Sequence, residues 1–267
     1  MTTLPAHYRM DLAYLGTGLF GWQSQAMGRT VQDHLEQALA IFLRHPVRIL
    51  GASRTDTGVH AAHQVATFKS AVPYDEQRWL KALEHLLPKT IGVRSILPVP
   101  AAFHPMRATG KVYLYRIWRG PTVDPFVRQL VWRLMPDIDL ALLRAETSAF
   151  VGRHDFSAFC AADSSAKTKT REVYAVECHE HGAELRIWVV GKGFLKQQIR
   201  IMVGTLVEVA RGKRAPGAVT ALLQGGDRTA AGRTAPAEGL TLMRIVYEED
   251  VMVVFRDLLN NRGGYVL

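Results

Sequence analysis

A chain of 267 residues, 48% apolar and 21% charged, is long enough to bury a real core and too apolar to be disordered. It has no run of 18 apolar residues, no apolar signal core at its start, and only two cysteines (Cys160 and Cys178). Those features exclude a helical membrane span, a disulfide framework and a thiolate zinc site, and they predict a cytoplasmic protein with no membrane partner. The charge balance is 33 basic to 24 acidic residues, with 24 arginines against 9 lysines. Arginine's planar fork suits phosphate, so nucleic acid is the partner class to test.

In chain order, residues 10–15 read as a strand leading into a glycine-punctuated loop. Thr30 is placed to cap a helix, with Asp33 three residues on, and Val31, Leu35, Leu39 and Phe42 share one face of it. Pro46 ends that helix. Strands follow at 47–50 and 65–68, then a helix at 75–87 with Trp79, Leu83 and Leu86 inward, stopped by Pro88. Residues 91–99 complete a β-α-β-β-α-β order.

The second half has a strand at 111–118 and a helix at 140–151 closed by Gly152. A hairpin at 171–178 and 185–190 turns near His181-Gly182. Leu195, Ile199, Met202, Leu206 and Val209 then form a helical stripe, a short helix opens at Pro216, and 240–247 is a closing strand. The pattern predicts an α+β fold of two ferredoxin-like (split β-α-β) subdomains. Each has an antiparallel or mixed sheet flanked by helices, with a catalytic cleft between them. The expected division is 1–105, 106–250 and a tail at 251–267, loosely held from residue 260 onward.

Several motifs carry little. Gly16-Thr17-Gly18-Leu19-Phe20-Gly21 matches a dinucleotide fingerprint in letters, but its helix begins only near Thr30, too late for amides to face a pyrophosphate. The pairs His60/His63 and His179/His181 lack a third and fourth metal ligand at useful spacing. No nucleotide cofactor or metal is expected.

The segment Gly51-Ala52-Ser53-Arg54-Thr55-Asp56-Thr57-Gly58-Val59-His60 is more informative. A strand runs into a polar loop that holds an arginine and an aspartate two residues apart and is closed by glycine. By itself this reads more simply as a turn in which Asp56 bonds backbone amides and Gly58 supplies a positive φ. Three further segments shift the balance. Lys111-Val112-Tyr113-Leu114-Tyr115 sets two rings on one strand face, and Gly193 to Arg200 opens a helix with Lys196 and Arg200 one turn apart. The third, Ala235-Pro236-Ala237-Glu238-Gly239-Leu240, leads into the last strand.

In that order and spacing the chain resembles the tRNA pseudouridine synthase A family. The N-terminal pattern appears as Tyr14, Gly16, Gly21, Trp22 and Gln23, and R-T-D-x-G-V-H is complete from Arg54 to His60. The x-Y-x-Y strand, the H-D-F-x-x-F of His154 to Phe159, the F-x-x-x-x-R helix and the A-E-G-L loop follow in family order. Departures include Leu15 in place of aspartate, Ser53 in place of glycine, and an altered Arg200 helix; they bear on the choice of target nucleotide.

The resemblance implies an isomerase that needs no cofactor. Asp56 would be the catalytic carboxylate, adding to C1′ or promoting a glycal intermediate. Arg200 would be its charge partner, Tyr113 would stack on the uracil and assist at C5, and Leu240 would wall the pocket. Arg54 and Lys196 would contact RNA. The implied partners are tRNA, at uridines 38, 39 and 40 of the anticodon stem-loop, and a second copy of the chain in a homodimer. The competing readings are a non-catalytic RNA-binding protein, a paralogous synthase with another uridine target and, more distantly, a nicotinamide-dependent enzyme.

Overall fold

The computed structural model describes residues 6–134 and 138–260. They form two compact units: one runs to Ala108 and takes in Leu242–Tyr247, and the other holds Thr109–Thr241 and resumes at Glu248.

The first unit contains β1 (Ala6–Tyr14), α1 (Val31–Leu43), β2 (Leu50–Gly51), β3 (His60–Ser70), α2 (Glu76–Leu86) and β4 (Ile91–Val99). This is the β-α-β-β-α-β order expected, although β1 and β3 are longer than their apolar stretches suggest and β2 has only two residues. β1 lies between β3 and β4, antiparallel to both. Its inward set Tyr8, Met10, Leu12 and Tyr14 is buried with the period of two that a half-covered strand requires. Thr30 and Asp33 make the reciprocal capping box at the start of α1. α2 buries Trp79 and Leu83, but Leu86 is 38% exposed rather than inward. Trp79 is the centre of an aromatic cluster with Tyr8, Phe42, Phe68 and Tyr74, ring centroids 5.3 to 5.6 Å away. Leu86 is the last residue of the helix, and the buried position there goes to Leu87, where the backbone has turned extended.

The second unit contains β5 (Gly110–Trp118), β6 (Trp132–Arg133), α3 (Leu140–Thr147), β7 (Gly152–Asp155), β8 (Thr170–His181), β9 (Glu184–Gly191), α4 (Gln198–Ala210), α5 (Ala218–Leu223) and, past residue 247, α6 (Val251–Asn260). Its sheet runs β5-β9-β8-β7 with antiparallel pairs, and β6 adds a short parallel pair to β5. His181 pairs with Glu184 across a two-residue turn, and Gly182 takes the positive φ there. The helix expected to reach residue 151 stops at Thr147 and tightens into a 3-10 turn, Ser148–Phe150. The Glu146 carboxylate near its end accepts from the Gly217 and Val219 amides and so caps α5.

Two expectations need correction. The closing strand, β10 (Leu240–Val246), does not belong wholly to the second half. From Leu242 onward it lies with the first unit beside β3, where His63 Nδ1 accepts the Ile245 amide at 3.2 Å. Tyr247 just beyond it donates to the Pro105 carbonyl at 2.7 Å. Nor is 251–267 simply a tail. Asp250 accepts the Met252 amide to start α6, and Phe255 is fully buried against Trp188. The dense apolar, β-branched run Val251-Met252-Val253-Val254-Phe255 hides its helical period. Residues 261–267 of that expected tail lie outside the described residues.

The second unit also buries a charge cluster that composition does not reveal. Glu184 accepts from Arg116 Nε and Nη2, and from Arg186 Nε at 3.0 Å, with Arg116 and Glu184 only 6% and 4% exposed. Burial raises the Glu184 pKa, but the hydrogen bonds and charges of the two arginines outweigh it and leave the group below its ordinary 4.5. Removing one partner of such a cluster strands the other charge, so Glu184→Ala is expected to cost about 3–5 kcal/mol in denaturant unfolding. Because the folded pKa is depressed, this stabilisation is complete above pH 4.5 and is lost as pH falls through the folded value. The stability gap between wild type and Glu184→Gln should therefore narrow on acidification; a gap constant from pH 7 to 3 would disprove the ion pairing.

Candidate active site

The Asp56 loop leaves β2 and returns at β3, and its backbone is held from below by buried polar groups. Gln64, fully buried in β3, uses its whole amide. Nε2 donates to the Ser53 carbonyl at 2.7 Å and to the Tyr14 hydroxyl at 3.3 Å, and Oε1 accepts the Ser53 and Val65 amides. Tyr14 Oη and Thr55 Oγ1 lie 2.8 Å apart. Burial pushes the Tyr14 phenol up to about 12, so it stays protonated through the neutral range. A buried network with every member satisfied is rigid. Here it fixes Ser53 and Thr55, the residues on either side of Arg54, and sets where the chain goes at Asp56.

The glycine-rich segment after β1 lies against the same loop. Trp22 N donates to the Thr55 carbonyl at 3.1 Å, Gly58 N to the Leu19 carbonyl at 3.3 Å, and Gly16 N to His60 Nδ1 at 2.9 Å. Gly21 has φ 79°, and a Cβ there would sit 2.7 Å from the Thr55 carbonyl oxygen. At Gly51 a Cβ would meet the Trp22 indole at 2.3 Å. Gly16 and Gly21 of the apparent dinucleotide fingerprint are thus close-packing positions where backbone meets backbone, whereas Gly18 meets no neighbour and supplies a positive φ. Gly58, at φ 80°, supplies the positive φ expected of the loop. On this support Arg54 is exposed and Asp56 half-buried. The two nearby histidines both have structural partners, His60 on Gly16 and His63 between Asp11 and Ile245.

The other expected residues belong to the second unit. Tyr113 and Tyr115 point to one face of β5, as the period of two demands. Tyr113 meets Phe194 edge-on at 5.4 Å. Tyr115 is fully buried and donates to the Pro236 carbonyl at 2.7 Å, with Gly239 pressed on its ring. Burial, with Glu238 adding to it, raises the Tyr115 phenol far above its ordinary value, so this tyrosine is a fixed donor that anchors the 235–239 loop. Arg200 Nε donates to the Ala235 carbonyl at 2.8 Å, and the Ala235 amide returns a bond to the Arg200 carbonyl at 3.0 Å. Leu240, 5% exposed, follows the same loop. The structure therefore gathers Arg200, Tyr115 and the segment before Leu240 around one loop.

Lys196 departs from expectation. α4 begins at Gln198, not near residue 194, because Gln197 takes a left-handed φ of 60° and breaks the helical path. Lys196 sits before the helix, exposed, and its Nζ pairs with Asp163 at 2.6 Å. Sequence reading gave no role to Gln64 or Thr55. A glutamine directly before the apolar pair Val65-Ala66 of a strand is the signal that finds the first, since such a group is buried only with its partners. Among the described residues, no three His, Cys, Asp or Glu side chains gather as a metal site.

Comparison with known proteins agrees with the sequence patterns. A family profile described as tRNA pseudouridine synthase matches residues 12–106 and 147–248. Those spans contain Arg54, Asp56, Lys196, Arg200 and Leu240, and Tyr113 falls between them. The tRNA pseudouridine synthase A of Citrifermentans bemidjiense is 43% identical over 243 residues, 90% of this chain and 97% of that protein. The protein of the same name from Geotalea uraniireducens is 40% identical over 240 residues, and that from Bacillus licheniformis 39% over 243; each match covers 90% of this chain and 98% of the relative. With both halves matched and the relatives spanned almost end to end, this chain belongs to the tRNA pseudouridine synthase A family of isomerases.

Proposed function

We propose that the protein converts uridine to pseudouridine in the anticodon stem-loop of tRNA, at positions 38, 39 and 40, with Asp56 as the catalytic carboxylate. The observation that carries this reading is the Asp56 loop itself. An aspartate in R-T-D-T-G-V-H sits, half-buried, in a loop that buried hydrogen bonds hold on both sides of it. The reaction breaks the N1–C1′ bond, turns the uracil and rejoins it through C5, so the atoms balance with no redox partner. Asp56 either adds to C1′ or promotes loss of the C2′ proton to give a glycal. Arg200 supplies the opposite charge that keeps a carboxylate ionised in a dry site. Tyr113 stacks on the uracil and assists proton transfer at C5, Leu240 bounds the base, and Arg54 and Lys196 contact RNA.

Unstacking a base costs a few kcal/mol and stacking it on an aromatic ring returns about 1–3 kcal/mol, so backbone contacts decide whether flipping is favourable. The net charge of +9 provides them. We further propose a homodimer with one tRNA lying across both subunits. We place it in the cytoplasm, where the free cysteines Cys160 and Cys178 remain reduced. No helix among the described residues is long and apolar enough to cross a membrane.

The reading is tested by carbodiimide labelling and primer extension on unmodified tRNA. Stops at 38 to 40 are expected with wild type and absent with Asp56→Asn, whose tRNA affinity should stay within a few-fold. Stops at other uridines would keep the chemistry and move the target. Tight binding with no stops on any tRNA would leave a passive RNA-binding protein.

Arg200→Ala should lower kcat about 100-fold or more at neutral pH, the scale of losing a preorganised charged donor. Since Arg200 also holds the Ala235 carbonyl, unfolding temperature must be measured beside it; near-normal kcat removes the assignment. Tyr14→Phe deletes the hydroxyl between Gln64 and Thr55. It should cost about 1 kcal/mol of stability and reduce kcat more than it changes KM. A change in KM alone would mean that the network does not position Asp56.

A further inference from the structure

The loop between Trp22 and α1 holds a residue in a conformation that its side chain disfavours. Arg29 has φ 63°, in the left-handed region that glycine and asparagine occupy far more readily than arginine. Two other non-glycine residues among those described share a positive φ. Arg44 closes α1 at its C-cap, a usual place for left-handed backbone, and Gln197 forms the turn into α4. Arg29 ends no helix.

The surrounding bonds impose its conformation. Phe20 N donates to the Arg29 carbonyl at 3.1 Å and Gly28 N to the Gln25 carbonyl at 2.9 Å. Gln23 Nε2 and Ser24 N both donate to Gln32 Oε1 at 3.1 Å, and Gln25 Nε2 donates to the Phe20 carbonyl. Immediately after Arg29 the Thr30–Asp33 capping box fixes the chain again. Backbone tied at this many points sets φ for any side chain placed there. Glycine or asparagine would sit at Arg29 with less strain, so the reason for an arginine lies in its guanidinium. That group is exposed, and no hydrogen bond, ion pair or ring contact engages it among the described residues.

Its location gives the guanidinium a use. Phe20 N reaches Arg29, and Trp22 N reaches Thr55, the residue before Asp56. Arg29 and the residue before Asp56 thus bond to the same short segment, Phe20–Trp22. A nucleotide presented to Asp56 brings its flanking phosphates to the neighbourhood of that segment, and a free guanidinium fork is built for phosphate oxygens.

We propose that Arg29 is a phosphate-binding residue that positions the RNA strand beside the nucleotide presented to Asp56. The inference rests on the reading of Asp56 given above. Two variants test it. Arg29→Asn keeps the left-handed backbone and removes the charge, whereas Arg29→Lys keeps the charge and gives up the fork. Affinity for unmodified tRNA is measured across a salt series, with thermal unfolding and single-turnover pseudouridine formation alongside.

Arg29→Asn is expected to unfold at the same or a higher temperature than wild type. It should bind tRNA about tenfold more weakly, with the slope of log affinity against log salt flatter by about 0.7–0.9, the loss of one phosphate contact. Arg29→Lys should retain the wild-type slope, which a purely structural role would not predict. An unchanged slope in Arg29→Asn, with wild type active and Asp56→Asn inactive, overturns this proposal alone. Turnover by Asp56→Asn would instead sink the reading of Asp56, and with it the placement of Arg29 beside the reacting nucleotide.

Discussion

Gln64 is buried in β3 with both donors and both acceptors of its amide in use, and the Asp56 loop hangs from it. The physical constraint is severe. A buried amide missing any one of those bonds would pay a desolvation penalty, so β1, β3 and the loop must keep their registers together. The same network fixes the backbone that carries the Asp56 carboxylate. Ser53, Thr55 and the Trp22 amide, all backbone or neighbouring groups, hold that position. Rigid support of this kind is what the proposed role of Asp56 requires, since positional catalysis depends on a fixed geometry.

The second unit solves a related problem differently. Arg200 is on the first turn of α4 and exchanges bonds with Ala235, while Tyr115 clamps Pro236 and Gly239 of the same loop from β5. Helix, strand and loop therefore meet at one short stretch of backbone. The left-handed Gln197 delays the start of α4 and places Lys196 outside it. Lys196 thereby faces Asp163 and solvent, and an exposed pair of that kind adds little to stability.

Much of this was legible from the chain. Thr30 and Asp33 announced the capping box, Pro88 the end of α2, and residues 10–15 the strand that became β1. These signals are local, and local chemistry decides them. What escaped was decided by tertiary contact. Leu86 lies on the apolar side of its helical wheel, but the helix ends there and the buried place goes to Leu87 on extended backbone. Val251 to Phe255 has no polar interruption to reveal a helical period, and only packing of Phe255 on Trp188 shows which side is inward. β10 reads as the end of the second half because sequence order suggests it, yet the Ile245 amide bonds with a histidine nearly two hundred residues earlier. For the site, the order of the Asp56, Tyr113, Arg200 and Leu240 motifs pointed to the family, whereas the roles of Gln64, Thr55 and Tyr14 needed hydrogen-bond geometry.

The absent side chains at Gly21 and Gly51 have a consequence for how this region can change over time. Gly21 leaves room for the Thr55 carbonyl, and Gly51 leaves room for the Trp22 indole. The stretch after β1 and the stretch around Asp56 therefore interlock in both directions, each supplying the bulk that the other lacks. Neither can drift, lengthen or gain a methyl group unless its partner moves with it, although some thirty residues separate them along the chain. The two stretches are inherited as a mated pair, and a recombination breakpoint falling between residues 22 and 51 would join halves that were never fitted to one another.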